Sequence, residues 1–193
     1  MIITNPEDNE IIGTPHVATK CSVVFKGKNN RLIIGSNVRL TNMKIIFNGS
    51  SGLLEIQDGC NLIGDFRIVH TGSITVGKKT VFNKSCWIQA SDKTSVEIGS
   101  NCLFANVRIR TSDMHSIIDL TTNERINPDA NVKIGNQVWL AENVYVYKGV
   151  TVGDGSIIGA GSIVVKSIPH NSLAVGVPAK VVKSNVSWNV KRL

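Results

Sequence analysis

An apolar residue followed by glycine recurs along this chain, at Ile34-Gly35, Val76-Gly77, Ile98-Gly99, Ile134-Gly135, Val152-Gly153 and Ile158-Gly159. From Ile134 the apolar member returns every six residues through Leu140, Val146, Val152, Ile158 and Val164 without a slip. Shorter runs keep the same period, from Ile34 to Leu40, from Val76 through Phe82 to Ile88, and from Ile98 to Phe104. Four residues after such a position stands a smaller one, filled by Val38, Cys60, Thr80, Cys86, Cys102, Val138, Val144, Val150, Ser156 and Ser162. A helix cannot use this spacing, because its apolar stripe recurs at three and four. Short strands joined by tight corners can, with Gly and Asn supplying the turn conformations. Three sides per coil make 18 residues, so the 36 residues from Ile98 to Ile134 read as two coils. The earlier intervals of 22, 20 and 22 residues (34 to 56, 56 to 76, 76 to 98) imply small insertions at the corners. The chain is therefore expected to be all-β, a parallel solenoid whose coils bury apolar residues only by stacking on their neighbours. About seven coils between residues 22 and 168, at a strand spacing of ~4.8 Å, make a prism roughly 34 Å tall.

Length and composition agree with one soluble domain. The 193 residues are 42% apolar and only 18% charged, which excludes a disordered charged tail. No apolar run approaches the ~20 residues of a membrane span. The opening MIITNPEDNE lacks the basic and apolar regions of a signal peptide, so a cytoplasmic location is expected. Cys60, Cys86 and Cys102 fall on small inward positions, where a thiol acts as a small hydrophobe. No C-x-x-C pair suggests zinc or redox chemistry. The net charge of +7 is concentrated late: after Asp154 there is no acid, while Lys166, Lys180, Lys183, Lys191 and Arg192 follow. Such an end favours an anionic partner, either nucleic acid or a phosphorylated cofactor.

The hexads are interrupted once, between Arg110 and Val132, by TSDMHSIIDLTTNERINPDAN. A regular solenoid gains no stability from a polar insertion, and long loops in compact domains are commonly functional. The expected organisation is one domain: a cap over residues 1–21, coils over 22–110 and 132–168, a projecting loop over 111–131, and a C-terminal segment over 169–193.

With its hexads from Ile134 to Val164, its His-bearing loop and its VGVPAKVVK ending, the chain resembles the hexapeptide-repeat, left-handed β-helix acyltransferases. The resemblance covers roughly residues 30 to 183. It implies a left-handed coil, homotrimers with active sites between adjacent prisms, and acetyl-CoA as donor. The long N-terminal prism and the pairing of SDMHS with GNQVWL look most like O-acetyltransferases of bacterial surface polysaccharides, including the polysialic acid type. Maltose- and galactoside-type acetyltransferases are the next neighbours. The activity implied is O-acetylation of a sugar hydroxyl in a capsular, sialic-acid-containing glycan. The alternatives are transfer to a small sugar or amino sugar, and a noncatalytic solenoid scaffold.

Acetyl transfer to an alcohol needs a base near neutrality, and histidine suits that task. Of four histidines, His115 alone lies in the interrupting loop, and the resemblance makes it the general base. His16, His70 and His170 are spaced too widely to converge on a metal with it, and no metal is expected. Asp113 and Asp119 are both candidates to orient the imidazole, and a backbone carbonyl would serve equally. Trp139 is placed at a hexad corner, and the resemblance sets it beside His115 as a binding or orienting group. Ala141, Gly159 and Ala160 match positions that hold the pantetheine and adenine parts of the donor. Lys166 and Lys180 match basic positions near its phosphates, which outranks nucleic acid as the reason for the basic end. Acceptor positions fall on VFNKSCWIQASDK, where Asn83 fits the sugar acetyltransferases but Ser85 and Ala90 do not. Lys84 and Trp87 stand there instead, and Arg125 joins them as a group that could meet an anionic sugar.

Overall fold

A computed structural model describes residues 1–191; Arg192, named above with the basic end, lies outside them. The described residues contain no helix. They wind as a β-solenoid with three faces. The first face is a seven-stranded parallel sheet formed by Glu10–Ile12, Arg31–Ile34, Leu53–Ile56, Ser73–Val76, Ser95–Ile98, Val132–Ile134 and Thr151–Val152. The second carries Val81–Lys84, Leu103–Ala105, Trp139–Leu140 and Ile157–Ile158 in register. The third carries Cys86–Ala90, Arg108–Arg110, Tyr145–Val146 and Ile163–Val164. Two long strands, Arg39–Asn48 and Asn61–Val69, run continuously across the second and third faces and bend where their register shifts between Thr41 and Met43.

The two inward positions of each hexad behave as the periodicity predicts. Ile34, Ile56, Val76, Ile98, Ile134 and Val152 are buried, as are the small partners from Val38 through Ser162. Aromatic rings stack from coil to coil inside the prism, Phe25 on Phe47 at 4.8 Å and Phe82 on Phe104 at 5.1 Å between centroids. Register fixes the coil lengths: Arg31 pairs with Leu53, Leu53 with Ser73 and Ser73 with Ser95, whereas Lys133 pairs with Thr151 across the shorter hexad coil.

Three sequence expectations change. Ile98 pairs directly with Ile134, so the interval between them is one coil carrying the inserted loop rather than two coils. Residues 1–21 cover the end of the stack as a coil of their own, since Ile2–Thr4, Glu10–Ile12 and Val17–Thr19 each pair in parallel with the next coil. Trp139 is in a two-residue strand, not a corner, with its ring outward and Leu140 inward, so the narrow prism never constrains it.

The glycine of the Ile-Gly pairs also has a different cause from the one expected. At the corner between the first and second faces, left-handed conformations fall on Asn37, Gly59, Lys79, Asn101, Gln137, Gly155 and Asn171, one per coil. Each N–H from Gly59 onward donates to the carbonyl just before its counterpart in the preceding coil, as Asn101 does to Lys78 at 2.8 Å. Of the apolar-glycine pairs, Gly35, Gly77, Gly99, Gly135 and Gly153 stack beside this ladder, while Gly159 follows the second face. A Cβ on Gly77 would stand 2.5 Å from the backbone of Gly99, and one on Gly99 would stand 2.5 Å from the backbone of Gly135. Close coil-to-coil approach, not backbone dihedral freedom, demands the missing side chain.

Gly99→Ala is therefore expected to destabilise the solenoid by about 3 kcal/mol, the upper end of an overpacked site. Gly161→Ala, with φ +70° and nothing within 4 Å of the new Cβ, should cost only about 1 kcal/mol of stability through backbone strain. Urea midpoints of the two variants check the contrast, and equal losses would remove close packing as the reason for the glycine ladder.

Candidate active site

The interrupting loop leaves the third face after Arg110 and returns to the first at Val132. Its two ends are tied together. Thr111 is fully buried, and its hydroxyl accepts the Ser91 N–H at 2.8 Å and the Thr94 hydroxyl at 2.6 Å. The Ala130 N–H donates to the Thr111 carbonyl at 3.0 Å. Between these ends a hairpin pairs Ile118–Asp119 with Glu124–Arg125. The Asp119 carboxylate shapes its turn by accepting the N–H groups of Thr121 (2.7 Å) and Thr122 (3.3 Å).

Asn127 is the buried centre of the loop. Its side-chain oxygen accepts the Ile117 N–H at 2.7 Å, and its amide donates to the Asp113 carboxylate and to the His115 carbonyl, both at 2.9 Å. Lys148, which follows Tyr145–Val146 on the neighbouring coil, donates to the Asp113 carboxylate and to the Asn127 carbonyl, the latter at 2.8 Å. The Lys148 ammonium, followed by the Asn127 amide, holds the Asp113 carboxyl below its usual range. Thus the segment bearing His115 is clamped to the solenoid through its backbone. The imidazole itself is exposed and has no hydrogen bond among the described residues. Neither acid proposed to orient it does so: Asp113 serves Lys148 and Asn127, and Asp119 serves the turn. Asn127 and Lys148 were not singled out from the sequence. The Asn-Pro dipeptide at 127–128 was the one available signal, as a turn former.

His115 and Trp139 are not brought together within one chain. The His115 loop springs from the corner between the third and first faces, while Trp139 projects from the second face, across the prism. The C-terminal segment covers Trp139: Trp188 lies 6.0 Å from it between ring centroids, and the Trp188 indole N–H donates to the Gln137 carbonyl at 2.7 Å.

Three of the residues matched to the donor do share one edge. Ala141, Gly159 and Ala160 follow the second-face strands Trp139–Leu140 and Ile157–Ile158. The N–H groups of Ala141 and Gly159 donate to Ile158 and Ala174 in the next coil. The Ala160 N–H has no partner among the described residues, so it alone of the three can donate to a ligand. Lys166, after the third-face strand Ile163–Val164, and Lys180, in the C-terminal strand Ala179–Ser184, are exposed. Lys84 reaches the corner after Ala141, in an ion pair with Glu142 at 2.5 Å, with Asn83 exposed beside it. Arg125 pairs with Asp129 at 2.9 Å inside the loop. Hence the charges of Lys84 and Arg125 are already met by carboxylates of the chain. Trp87 lies on the third face, under the Arg67 guanidinium at 5.8 Å.

Cysteine chemistry does not compete with the histidine. All four thiols are free and buried. Burial pushes the Cys86 thiol up to about 12 and those of Cys60 and Cys102 up to about 11, so none of these three is a thiolate at neutral pH. The described residues hold no cluster of three His, Cys, Asp or Glu able to bind a metal.

Comparison with known proteins adds the following. The family model described as bacterial transferase hexapeptide (six repeats) matches residues 131–166. A polysialic acid O-acetyltransferase of Neisseria meningitidis is 37% identical over 177 residues, 90% of this chain and 81% of that protein. One from Escherichia coli O1:K1 / APEC is 38% identical over 136 residues, 70% of this chain and 44% of that protein. The solved structure of the polysialic acid O-acetyltransferase OatWY superposes with a TM-score of 0.95 at 31% identity, over 100% of this chain and 93% of its own. Galactoside acetyltransferase in complex with coenzyme A gives a TM-score of 0.57 at 30% identity, over 68% of this chain and 64% of its own.

The clamp on the loop makes a direct prediction. Lys148→Met should return the Asp113 carboxyl toward 3.8 and speed hydrogen exchange of the Ile117 amide roughly tenfold, the scale of a lost charged hydrogen bond. Because Asp113 titrates lower when folded, its stabilisation is present above about pH 4 and is lost as pH falls through the lowered value. Carboxyl titration by NMR with exchange mass spectrometry checks both, and unchanged exchange would mean that Asn127 holds the loop without Lys148.

Proposed function

This chain belongs to the hexapeptide-repeat acetyltransferases, and we propose that it O-acetylates a hydroxyl of a sialic-acid-containing surface polysaccharide, with acetyl-CoA as donor and His115 as general base. The observation that carries this reading is the state of His115. It sits in the long loop that breaks the coils after Arg110, its backbone is held by Asn127, and its imidazole is left unengaged among the described residues. The acceptor class follows that of the polysialic acid O-acetyltransferases this chain is similar to, and the small-residue edge of Ala141, Gly159 and Ala160 leaves room for an extended donor against the coil.

In the proposed step the donor supplies an acetyl thioester. The His115 imidazole takes the proton of the acceptor hydroxyl as its oxygen bonds to the thioester carbonyl carbon. The same nitrogen then returns that proton to the departing sulfur as the carbon–sulfur bond breaks, so base and acid are one group and no net proton is lost. Trp139 orients a substrate oxygen through its indole N–H. The Ala160 N–H, Gly159 and Ala141 hold the donor along the edge, with Lys166 and Lys180 near its phosphates. Asn83 and Trp87 face the acceptor.

We further propose a homotrimer. His115 and Trp139 leave opposite sides of one prism, so a site containing both takes one residue from each of two copies. The loop hairpin also lacks cover of its own. Leu120 is 95% exposed, and Met114, Ile117, Ile118 and Ile126 are exposed with it, an apolar surface suited to a neighbouring copy. The site of action is the cytoplasm, a reading supported by four free buried thiols and by a donor of that compartment. No helix of the described residues is long and apolar enough to cross a membrane.

Thiol release from acetyl-CoA, measured against polysialic acid, neutral maltose-type sugars and amino sugars, tests the reaction. Release with polysialic acid alone is expected. Release only with small sugars would move the chain to the galactoside type, and failure to bind acetyl-CoA would leave a scaffold. His115→Ala should lower turnover by roughly 10²- to 10⁴-fold with the oligomer intact. Refolding His115→Ala together with Trp139→Ala should regain up to about one quarter of the sites if each site spans two copies of a closed ring. No regain would place both residues in sites within single chains.

A further inference from the structure

On the outer surface of the third face, arginines and aromatic residues follow one another from coil to coil. Asp65, Trp87, Arg108 and Tyr145 are register partners in one row, and Arg67, Gln89 and Arg110 in the next. Each guanidinium lies over a ring: Arg67 over Trp87 at 5.8 Å, Arg108 over Tyr145 at 5.6 Å and Arg110 over Tyr147 at 4.7 Å. Together they line a cavity of about 370 Å³.

These arginines differ from the other paired cations of the molecule. Each ion pair among the described residues uses another cation, including Lys84 and Arg125, and none uses Arg67, Arg108 or Arg110. The Nε of Arg67 is the one buried side-chain nitrogen or oxygen of the described residues that lacks a hydrogen-bond partner. Arg108 and Arg110 share one strand and Arg67 lies two coils away, roughly 10 Å, so the three like charges repel one another and ring faces offset that only in part. A buried donor without an acceptor adds to the penalty. Folding alone does not account for this arrangement, but an anion in the cavity does.

We propose that this stripe is the acceptor groove. A carboxylated sugar polymer lies across the coils, its carboxylates received by Arg67, Arg108 and Arg110 and its rings against Trp87, Tyr145 and Tyr147. The planar guanidinium fork matches a carboxylate, and an aromatic face suits the apolar side of a sugar ring. Arg110 is the last residue before the His115 loop, so the groove leads a bound polymer to the base of that loop. The inference rests on the acidic acceptor of the preceding section and adds the residues that recognise it.

The test measures binding and turnover separately, with short polysialic acid oligomers and maltose oligomers as probes. Calorimetry without acetyl-CoA should give a Kd for the sialic acid oligomers that rises about tenfold in Arg108→Gln and in Tyr145→Ala, the scale of one lost charged contact. Arg108→Lys should lie between, since it keeps charge but loses the fork. KM should follow Kd while kcat and acetyl-CoA affinity hold, the pattern of lost uniform binding. Added salt should weaken wild-type binding more than variant binding. Unchanged Kd in both variants, with wild-type transfer intact, would overturn the groove and leave the reaction standing. Binding that depends on Arg108, without transfer to any glycan, would sustain the groove and sink the reaction. A changed oligomeric state of folded Arg108→Gln by light scattering would make the stripe a contact between copies and overturn it.

Discussion

The structure depends on one constraint, that every coil must lie a strand's width from the next around all three faces. Parallel backbone hydrogen bonds set that distance, and the side chains between coils must fit it. Where a first-face strand is followed by the glycine of an apolar-glycine pair, as at Gly77, Gly99 and Gly153, that residue is the most tightly bound by it, because the next coil's backbone occupies the place of its Cβ. The left-handed corner residues sit beside that glycine and pass one hydrogen bond from coil to coil. Once these corners are fixed, inward positions alternate large and small, and outward positions are free to differ.

That division explains what the sequence made legible. The inward residues carry the period, so fold class and core could be read from spacing. A coil carrying an insertion is harder to read. The loop happens to make Ile98 to Ile134 as long as two coils, and only the pairing of those residues separates the readings. The same ambiguity hid the coil in residues 1–21, which lacks the clean hexads of the later chain.

The candidate site was legible only where a residue type announces its chemistry. A lone histidine in the one long insertion among the described residues is such a signal. Asn127 and Lys148 are common polar residues whose roles depend on what lies across the loop, and distance along the chain conceals it. The arginines of the third face were missed for a related reason. Arg67, Arg108 and Arg110 are scattered in sequence, and it is the register of the coils that gathers them into two adjoining rows. Lys84 and Arg125 look equally available in the sequence, yet each has a carboxylate of the chain as its neighbour.

Because each coil touches only the coils above and below it, stability here is nearly one-dimensional. Fraying therefore has a direction: it starts at an end of the stack and must travel coil by coil. The coil that carries the His115 loop has Ser73–Val76 on one side and Val132–Ile134 on the other, with further coils beyond both. An opening of the terminal coil at residues 1–21 would have to cross several intact layers before the loop's anchor at Thr111 felt it. The outer N-terminal coils thus act as sacrificial insulation for the His115 loop, whereas Gly159 and Ala160, in the last hexad coil, sit next to the opposite end.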